Sequence, residues 1–469
     1  MRTVLLGLGA LLLLPGLLVV RAPWTAVPAL SLGFWALSAW WPPLAGLSRG
    51  RVVDAFLLCS ALLALLRALP KHEVPPPPGW VAPDSPPPIA RPSPPPLRCP
   101  SSAAVALVGL LLLAPLPLWH HAPGERLAFQ TTMARVLLWR DGVPRSAEPL
   151  LPLAPVGAHG PAVATLAADL SRLSGVGPGR SVLAVTLAAA GLTLVGLFAL
   201  LATWLEPRAA ALSGLLTLAV LPWPGVFLPW GEGESLLALA FLLPAAALVL
   251  GHRSRSSALA AGLLLGAAAL AHPLLAVLTT LSLTVAVTRQ SLPARSRRLR
   301  RLLAVALLGL LLSAPGLVPL ARALSGRELL MGLGSSLRTA DLAAVAWGLL
   351  AAVLGLFVAV RLCALRSRRA RVQAALLGCV SGLLLLVRVH AWVGAGQLDP
   401  AAQAALARAA RGSPVEPVCA PPRLLSWVPA LAGRPAGQPG PWIPAVYADE
   451  WRHSPRPVCH DRLEGVAPP

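Results

Sequence analysis

Long apolar runs, separated by short arginine-bearing stretches, recur along almost the whole chain; Ser181–Trp204 and Ser235–Gly251 are examples. A bilayer core of about 30 Å needs about 20 apolar residues as a helix. A helix also satisfies its own backbone hydrogen bonds where no water is present. The pattern predicts an all-α polytopic membrane protein. Apolar segments near 5–20, 27–47, 52–69, 103–119, 181–204, 209–228, 235–251, 257–271, 274–288, 302–320, 342–362 and 372–389 give about 11–12 transmembrane helices. Composition agrees: 56% of the 469 residues are hydrophobic and 12% charged, where a soluble domain carries roughly a quarter charged.

The chain divides at prolines. A first membrane block, 1–69, precedes a linker, 70–102, in which Pro75–Pro78, Pro86–Pro88 and Pro94–Pro96 favour extended polyproline II. A second block, 103–389, carries a long, more polar loop at 120–180, and a small tail, 390–469, has no span of its own. The N-terminal run, Leu5–Val20, reads as an uncleaved first span or signal anchor, because Arg21-Ala22-Pro23 follows it instead of a small-residue cleavage site.

The net charge of +21, from 39 basic and 18 acidic residues, would suggest nucleic acid in a soluble protein. Here the arginines sit in short loops, the pattern that encodes membrane topology, so no nucleic-acid partner is expected. The strongest basic stretches are 289–301, 361–371 and 252–255. Two spans separate each neighbouring pair, which assigns all three to the cytoplasmic side. Loop 120–180, Glu232 and Glu234, stretch 321–341 and the tail then fall outside, and the proline linker inside. Arg49 and Arg51 leave the orientation of the first block open.

Of six cysteines, Cys59, Cys363 and Cys379 lie in or beside apolar spans as small packing residues. Cys419 and Cys459 share the tail and form a disulfide if the tail faces an oxidising compartment. With no CxxC pair, no metal site is expected, and the sequence names no cofactor.

The outer loop opens with His120-His121-Ala122-Pro123-Gly124-Glu125. In Arg126–Arg140 the residues Leu127, Thr131, Ala134 and Leu138 share one helical face, with Arg126, Arg135 and Arg140 elsewhere. That pattern suits an amphipathic helix lying in the membrane interface. A second short helix is expected from Pro161 to Leu173, with proline in its first turn.

This layout resembles the GT-C superfamily of membrane glycosyltransferases. Those proteins have a first span, a large outside loop with an acid near its start, interface helices, then a bundle of further spans. Gly142-Val143-Pro144 is similar to the gly-x-pro step after the first interface helix. His159-Gly160-Pro161 through Leu173-Ser174-Gly175 is similar to the proline-led stretch that ends in a leucine–small–gly turn. Arg180, which opens the next span, also has the look of that family. In the tail, Asp399-Pro400 leads into a helix. Trp427-Val428-Pro429 through Gly433-Arg434, with Tyr447 and Glu450 downstream, resembles the outer tails of many bacterial members. The resemblance covers roughly 103–469 and rests on layout plus short, degenerate motifs.

The resemblance implies transfer of a sugar from a polyprenyl-phosphate donor in the membrane lipid to an extracytoplasmic glycan, lipid or protein acceptor, at a bacterial plasma (inner) membrane. It implies Glu125 as general base and basic residues at the donor phosphate, chemistry that arginine forks suit. Candidate substrate-binding residues are His120, His121, Glu232, Glu234, His272, Arg322, Arg327 and Arg434. Each has a plainer reading. Glu125 suits a helix start by its charge alone. His120 and His121 diverge on a helix and suit polar interface positions. Glu232 and Glu234 suit a solvated turn, His272 a turn before Pro273, and Arg322, Arg327 and Arg338 snorkelling span ends. The family often shows an acidic pair with a nearby aromatic where this chain has one acid, with Phe129 in the helix. A non-catalytic scaffold or lipid-binding member of the same fold is therefore the second reading, and a transporter the third. No GxGxxG, Walker, HExxH or GxSxG motif occurs.

Overall fold

A computed structural model describes residues 2–16, 23–41, 47–68, 100–141, 147–148, 150–151, 162–220, 232–251, 254–289, 292–323, 339–364, 367–421, 424–436 and 461–462. The proline linker lies almost wholly outside these residues. Within them the chain is almost entirely helical: α1 Arg2–Leu13, α2 Val27–Ser38, α3 Arg49–Ala68, α4 Pro100–Leu111, α5 Glu125–Arg140, α6 Ala162–Ser174, α7 Pro178–Leu201, α8 Pro207–Val220, α9 Glu232–Gly251, α10 Arg255–Ala271, α11 Pro273–Thr288, α12 Leu292–Ala323, α13 Thr339–Ala364, α14 Arg368–Ala395 and α15 Pro400–Ala409. Two short strands in the tail, β1 Val418–Cys419 and β2 Asp461–Arg462, pair in parallel.

Among the described residues, four helices are long and apolar enough to cross a membrane: Pro178–Leu201, Gly233–Gly251, Arg295–Val318 and Arg368–Ala395. They divide by burial. In the first two, 89% and 83% of the apolar window is buried, against 28% and 22% in the last two. Helices α7 and α9 therefore form the centre of the bundle, and α12 and α14 turn their leucines and valines outward, as a lipid-facing helix does. Shorter apolar helices, including α1, α2, α4, α10 and α11, fill in around them. Glycine sets the closest crossings. A Cβ at Gly191 on α7 would lie 2.7 Å from the carbonyl oxygen of Gly109 on α4, so only glycine lets these backbones approach so closely.

Several helices stop earlier than hydrophobicity alone predicts. The expected span 103–119 is helical only to Leu111, and hydrogen-bonded turns carry the chain to Trp119. Pro115 and Pro117 explain the break, since neither can donate to a preceding carbonyl. Helix α2 ends at Ser38, ahead of Pro42-Pro43, instead of running to Leu47.

The expectation for α5 needs a correction. It is not an amphipathic helix lying on a surface: Leu127 through Ala134, Val136 and Leu137 are all buried, covering every face. The bundle packs on one flank and the tail on the other. Helix α6 is buried to the same degree.

The helix ends sort into two sets. Arg301 donates to the Leu248 carbonyl at 3.2 Å and to Ser257 Oγ at 2.7 Å, gathering the ends of α9 and α10 with the basic start of α12. At the opposite end, hereafter the loop end, α5, α6, the starts of α7 and α9, the end of α14 and the tail meet.

The first block belongs to this assembly. Arg49 is buried and forks onto Asp169 of α6, with Nε 3.0 Å from Oδ1 and Nη2 on Oδ2. Its remaining donors reach Ser38 Oγ and the Trp35 carbonyl, each at 3.0 Å. Beside it Asp141, left-handed at φ 51°, accepts from the Gly50 amide at 2.9 Å and pairs with Arg172. Burial alone would raise the Asp141 carboxyl, but these hydrogen bonds and the Arg172 charge hold it below its ordinary value. Removing one partner of a buried pair strands the other charge. Arg49→Ala is therefore expected to destabilise the protein by about 3–5 kcal/mol. The double variant Arg49→Met/Asp169→Leu should lose much less than the sum of the two single changes. Unfolding of the purified protein in detergent, followed by circular dichroism, measures both.

Candidate functional site

Glu125 opens α5. Gly124, at φ 82° and ψ 157°, turns the chain into the helix and offers no side-chain cap. Glu125 is thus the acidic residue of the first turn, the end of a helix at which its dipole favours negative charge. Glu125 is half-buried, and that burial pushes its carboxyl above its ordinary value. The last turn of α14 closes over the approach: a Cβ at Gly396 would run into Pro123 and come within 3.3 Å of the Gly124 nitrogen.

Glu234 is also at the loop end, but on the other side of α5. It is buried and accepts a hydrogen bond from Gln130. At 100° per residue, Glu125 shares a flank with Ala128, Phe129 and Thr132, whereas Gln130 lies with Leu127 and Ala134. The two acids do not line one cleft. Glu232 starts α9, with its side chain outside the described residues.

The two histidines part company. His120 is exposed, and its Nδ1 lies 2.7 Å from Arg180 Nη2, while Arg180 Nε donates to the Trp119 carbonyl. His121 is 1% exposed, with both ring nitrogens engaged. Its Nδ1 lies 3.0 Å from the Ala122 carbonyl, and its Nε2 lies 3.2 Å from the Leu398 amide, which must donate to it. The ring is therefore the neutral Nδ1–H tautomer. It packs on Trp427 with centroids 4.5 Å apart, and Gln397 donates to its carbonyl at 2.8 Å. Expected as a substrate ligand, His121 instead clasps the loop to the tail.

Arg434 needs the same correction. At 1% exposure it is wholly inside the tail, donating to the carbonyls of Glu416 and Ala409 and lying 3.5 Å from the Glu416 carboxylate. It holds the C-terminal end of α15. His272 caps α11, with Nδ1 accepting from the Leu275 amide at 3.4 Å. Arg322 lies in α12 with an undescribed side chain, and Arg327 and Arg338 fall outside the described residues, as do Tyr447, Glu450 and Cys459. Cys419 is disulfide-bonded, and Cys59, Cys363 and Cys379 are free. Among the described residues no group of three or more His, Cys, Asp or Glu is placed to hold a metal.

Two features escaped the sequence reading. Arg135 leaves the buried face of α5 and donates to the carbonyls of Ala430 and Leu431, capping the one-turn π-helix Val428–Ala432 against the loop. His390 lies on α14, exposed on the flank of the bundle, with its ring 5.8 Å from that of Trp119. A lone histidine inside a long apolar helix was the available signal. It lines an open groove of about 370 Å³ between α4 and α14, walled by residues such as Leu112, Pro115, Leu386 and Val387.

No protein-family model matches the chain, and no curated protein sequence matches it.

The buried clasp has a consequence for pH. Burial lowers the His121 pKa below 6.5, the ordinary value, despite the opposing hydrogen bond to Ala122, and the neighbouring His120 lowers it further. Below 6.5 the unfolded chain binds the proton that the folded ring refuses, so stability is full above that value and falls as pH drops beneath it. Limited proteolysis of the tail is expected to accelerate between pH 7 and about pH 5. In His121→Gln, which retains an acceptor, the acceleration should be flattened.

Proposed function

We propose that this chain is a polytopic membrane glycosyltransferase that transfers a sugar from a polyprenyl-phosphate donor to an extracytoplasmic acceptor, with Glu125 as general base. The observation that carries this reading is a half-buried carboxylate at the head of α5, with an apolar groove open to the periphery between α4 and α14, the helix whose last turn packs on Pro123. The groove would hold the isoprenoid chain. Glu125 would take the proton of an acceptor hydroxyl as its oxygen bonds to the anomeric carbon. The bond from that carbon to the phosphate oxygen would break, and the lipid phosphate would leave with the electron pair. A carboxylate raised by burial is a stronger base than one in water.

The shorter apolar helices, counted with the four long ones, support the polytopic reading. The tail disulfide supports an oxidising compartment at the loop end, since such bonds persist outside the cytoplasm. Basic residues gathered at the other end agree with a cytoplasmic face there.

The scaffold reading draws on one observation. Glu234 is tied to Gln130, on the side of α5 away from Glu125, so the two acids do not form a pair.

Glu125→Gln separates the two readings. In protein still inserted in membranes, transfer from a polyprenyl-phosphate sugar should fall by at least about a hundredfold. Undiminished transfer would remove Glu125 from the chemistry, and absence of transfer by the unaltered protein with a panel of donors would favour the scaffold. Because a base must be ionised, activity should be lost as pH falls through its raised pKa. The acid limb of the rate profile should therefore lie above the ordinary glutamate value of 4.5.

A further inference from the structure

Helix α3, in the expected span 52–69, divides lengthwise. Its inner side packs on the bundle: Val53 and Ser60 are buried, and the Phe56 ring meets Trp35 edge-on with centroids 4.9 Å apart. At 100° per residue, Arg51, Asp54, Ala55, Leu58, Cys59 and Leu62 fall within less than half of the circumference on the other side. All six are exposed, so no described part of the chain covers that side.

Asp54 is the anomaly on it. The residue lies five positions into α3, about 7–8 Å along the axis at a rise of 1.5 Å per residue, with leucines at 58 and 62 beyond it. An ionisable side chain on the lipid-facing side of a membrane helix is costly unless a partner meets it. A long arginine can lift its charge to the headgroups, and Arg51, one turn nearer the helix start, has that choice. Aspartate is too short for it. Neither Arg51 nor Asp54 makes an ion pair or a hydrogen bond through its side chain among the described residues.

We propose that this face is a contact between two copies of the chain, α3 against α3, with Arg51 of each copy paired to Asp54 of the other. All copies insert in the bilayer with the same topology, so a twofold axis along the membrane normal sets the two helices parallel and at the same depth. A twofold contact lays one patch against itself, and the patch must be self-complementary. A face with acids alone or arginines alone would repel its copy. This one carries one of each, about 4.5 Å apart along the axis, within the reach of an arginine side chain, so the contact forms two reciprocal ion pairs. Next to them Ala55 and Cys59 are small and one turn apart, which lets the backbones approach, and Leu58 and Leu62 flank the seam. The contact does not depend on the transferase reading.

The test exchanges charges in the full chain. Protein in phosphatidylcholine bilayers is diluted stepwise in lipid, and dimers are counted by single-molecule photobleaching. The unaltered chain is expected to dimerise. Arg51→Asp leaves only acids on the face and Asp54→Arg only arginines, and each alone should weaken dimerisation by at least about tenfold. Mixed together and labelled in two colours, the two variants should form a mixed dimer about as tight as that of the unaltered chain, because every acid then meets an arginine. Both positions are exposed, and unchanged melting temperatures check that the fold survives. A chain that stays monomeric at every dilution would overturn the proposal and leave the face to a basic helix of another protein. Dimers that tolerate both single changes would overturn the placement on α3, and failure of the mixed variants to associate would overturn the reciprocal pairing.

Discussion

Buried guanidinium groups need partners, and much of the loop end is arranged to supply them. An isolated charge in an apolar interior costs several kcal/mol even after relaxation. Arg49 is met by Asp169, Ser38 and the Trp35 carbonyl, Arg135 by two carbonyls of the π-helix, and Arg434 by Glu416 and the Ala409 carbonyl. Each joins segments far apart in sequence. Arg49 ties the first block to α6, Arg135 ties the tail to α5, and Arg434 closes the tail on itself. These contacts hold α5 between the bundle and the tail, and Glu125 stands at the head of α5. An acid fixed this way is already ordered, the condition that the proposed role as general base would require.

Much of the helical architecture was legible because membrane helices are written in a simple code. Apolar runs marked the helices, and proline pairs explain where α2 and α4 stop short. The helical windows at Arg126–Arg140 and Pro161–Leu173 match the observed α5 and α6 within a residue or so. Their surroundings were less readable. The Leu127, Thr131, Ala134 and Leu138 face is amphipathic in sequence, yet the opposite face is covered as well, by a tail some 270 residues further on. Periodicity reports which face is apolar, and it cannot report that a distant segment will supply partners for the polar one.

The candidate ligands show the same limit more sharply. His121 and Arg434 have the composition of binding residues and the environment of structural ones. What decides between the two is burial and the neighbours each side chain already has, a property of the fold and not of the residue type. Arg49 shows the converse. As one of two arginines in a short connection it had no distinguishing mark, because its carboxylate lies 120 positions away.

The same accounting narrows where an anion can bind. At the loop end, the cations that already serve carboxylates or capped carbonyls leave little charge to offer. Arg180 differs, because its contacts are a single backbone carbonyl and a neighbouring imidazole, and a neutral imidazole does not neutralise a guanidinium. His390 differs too, because it is exposed on an otherwise apolar flank. Of the two, His390 lines the groove between α4 and α14, and Arg180 is joined to its neighbour Trp119 through the backbone carbonyl.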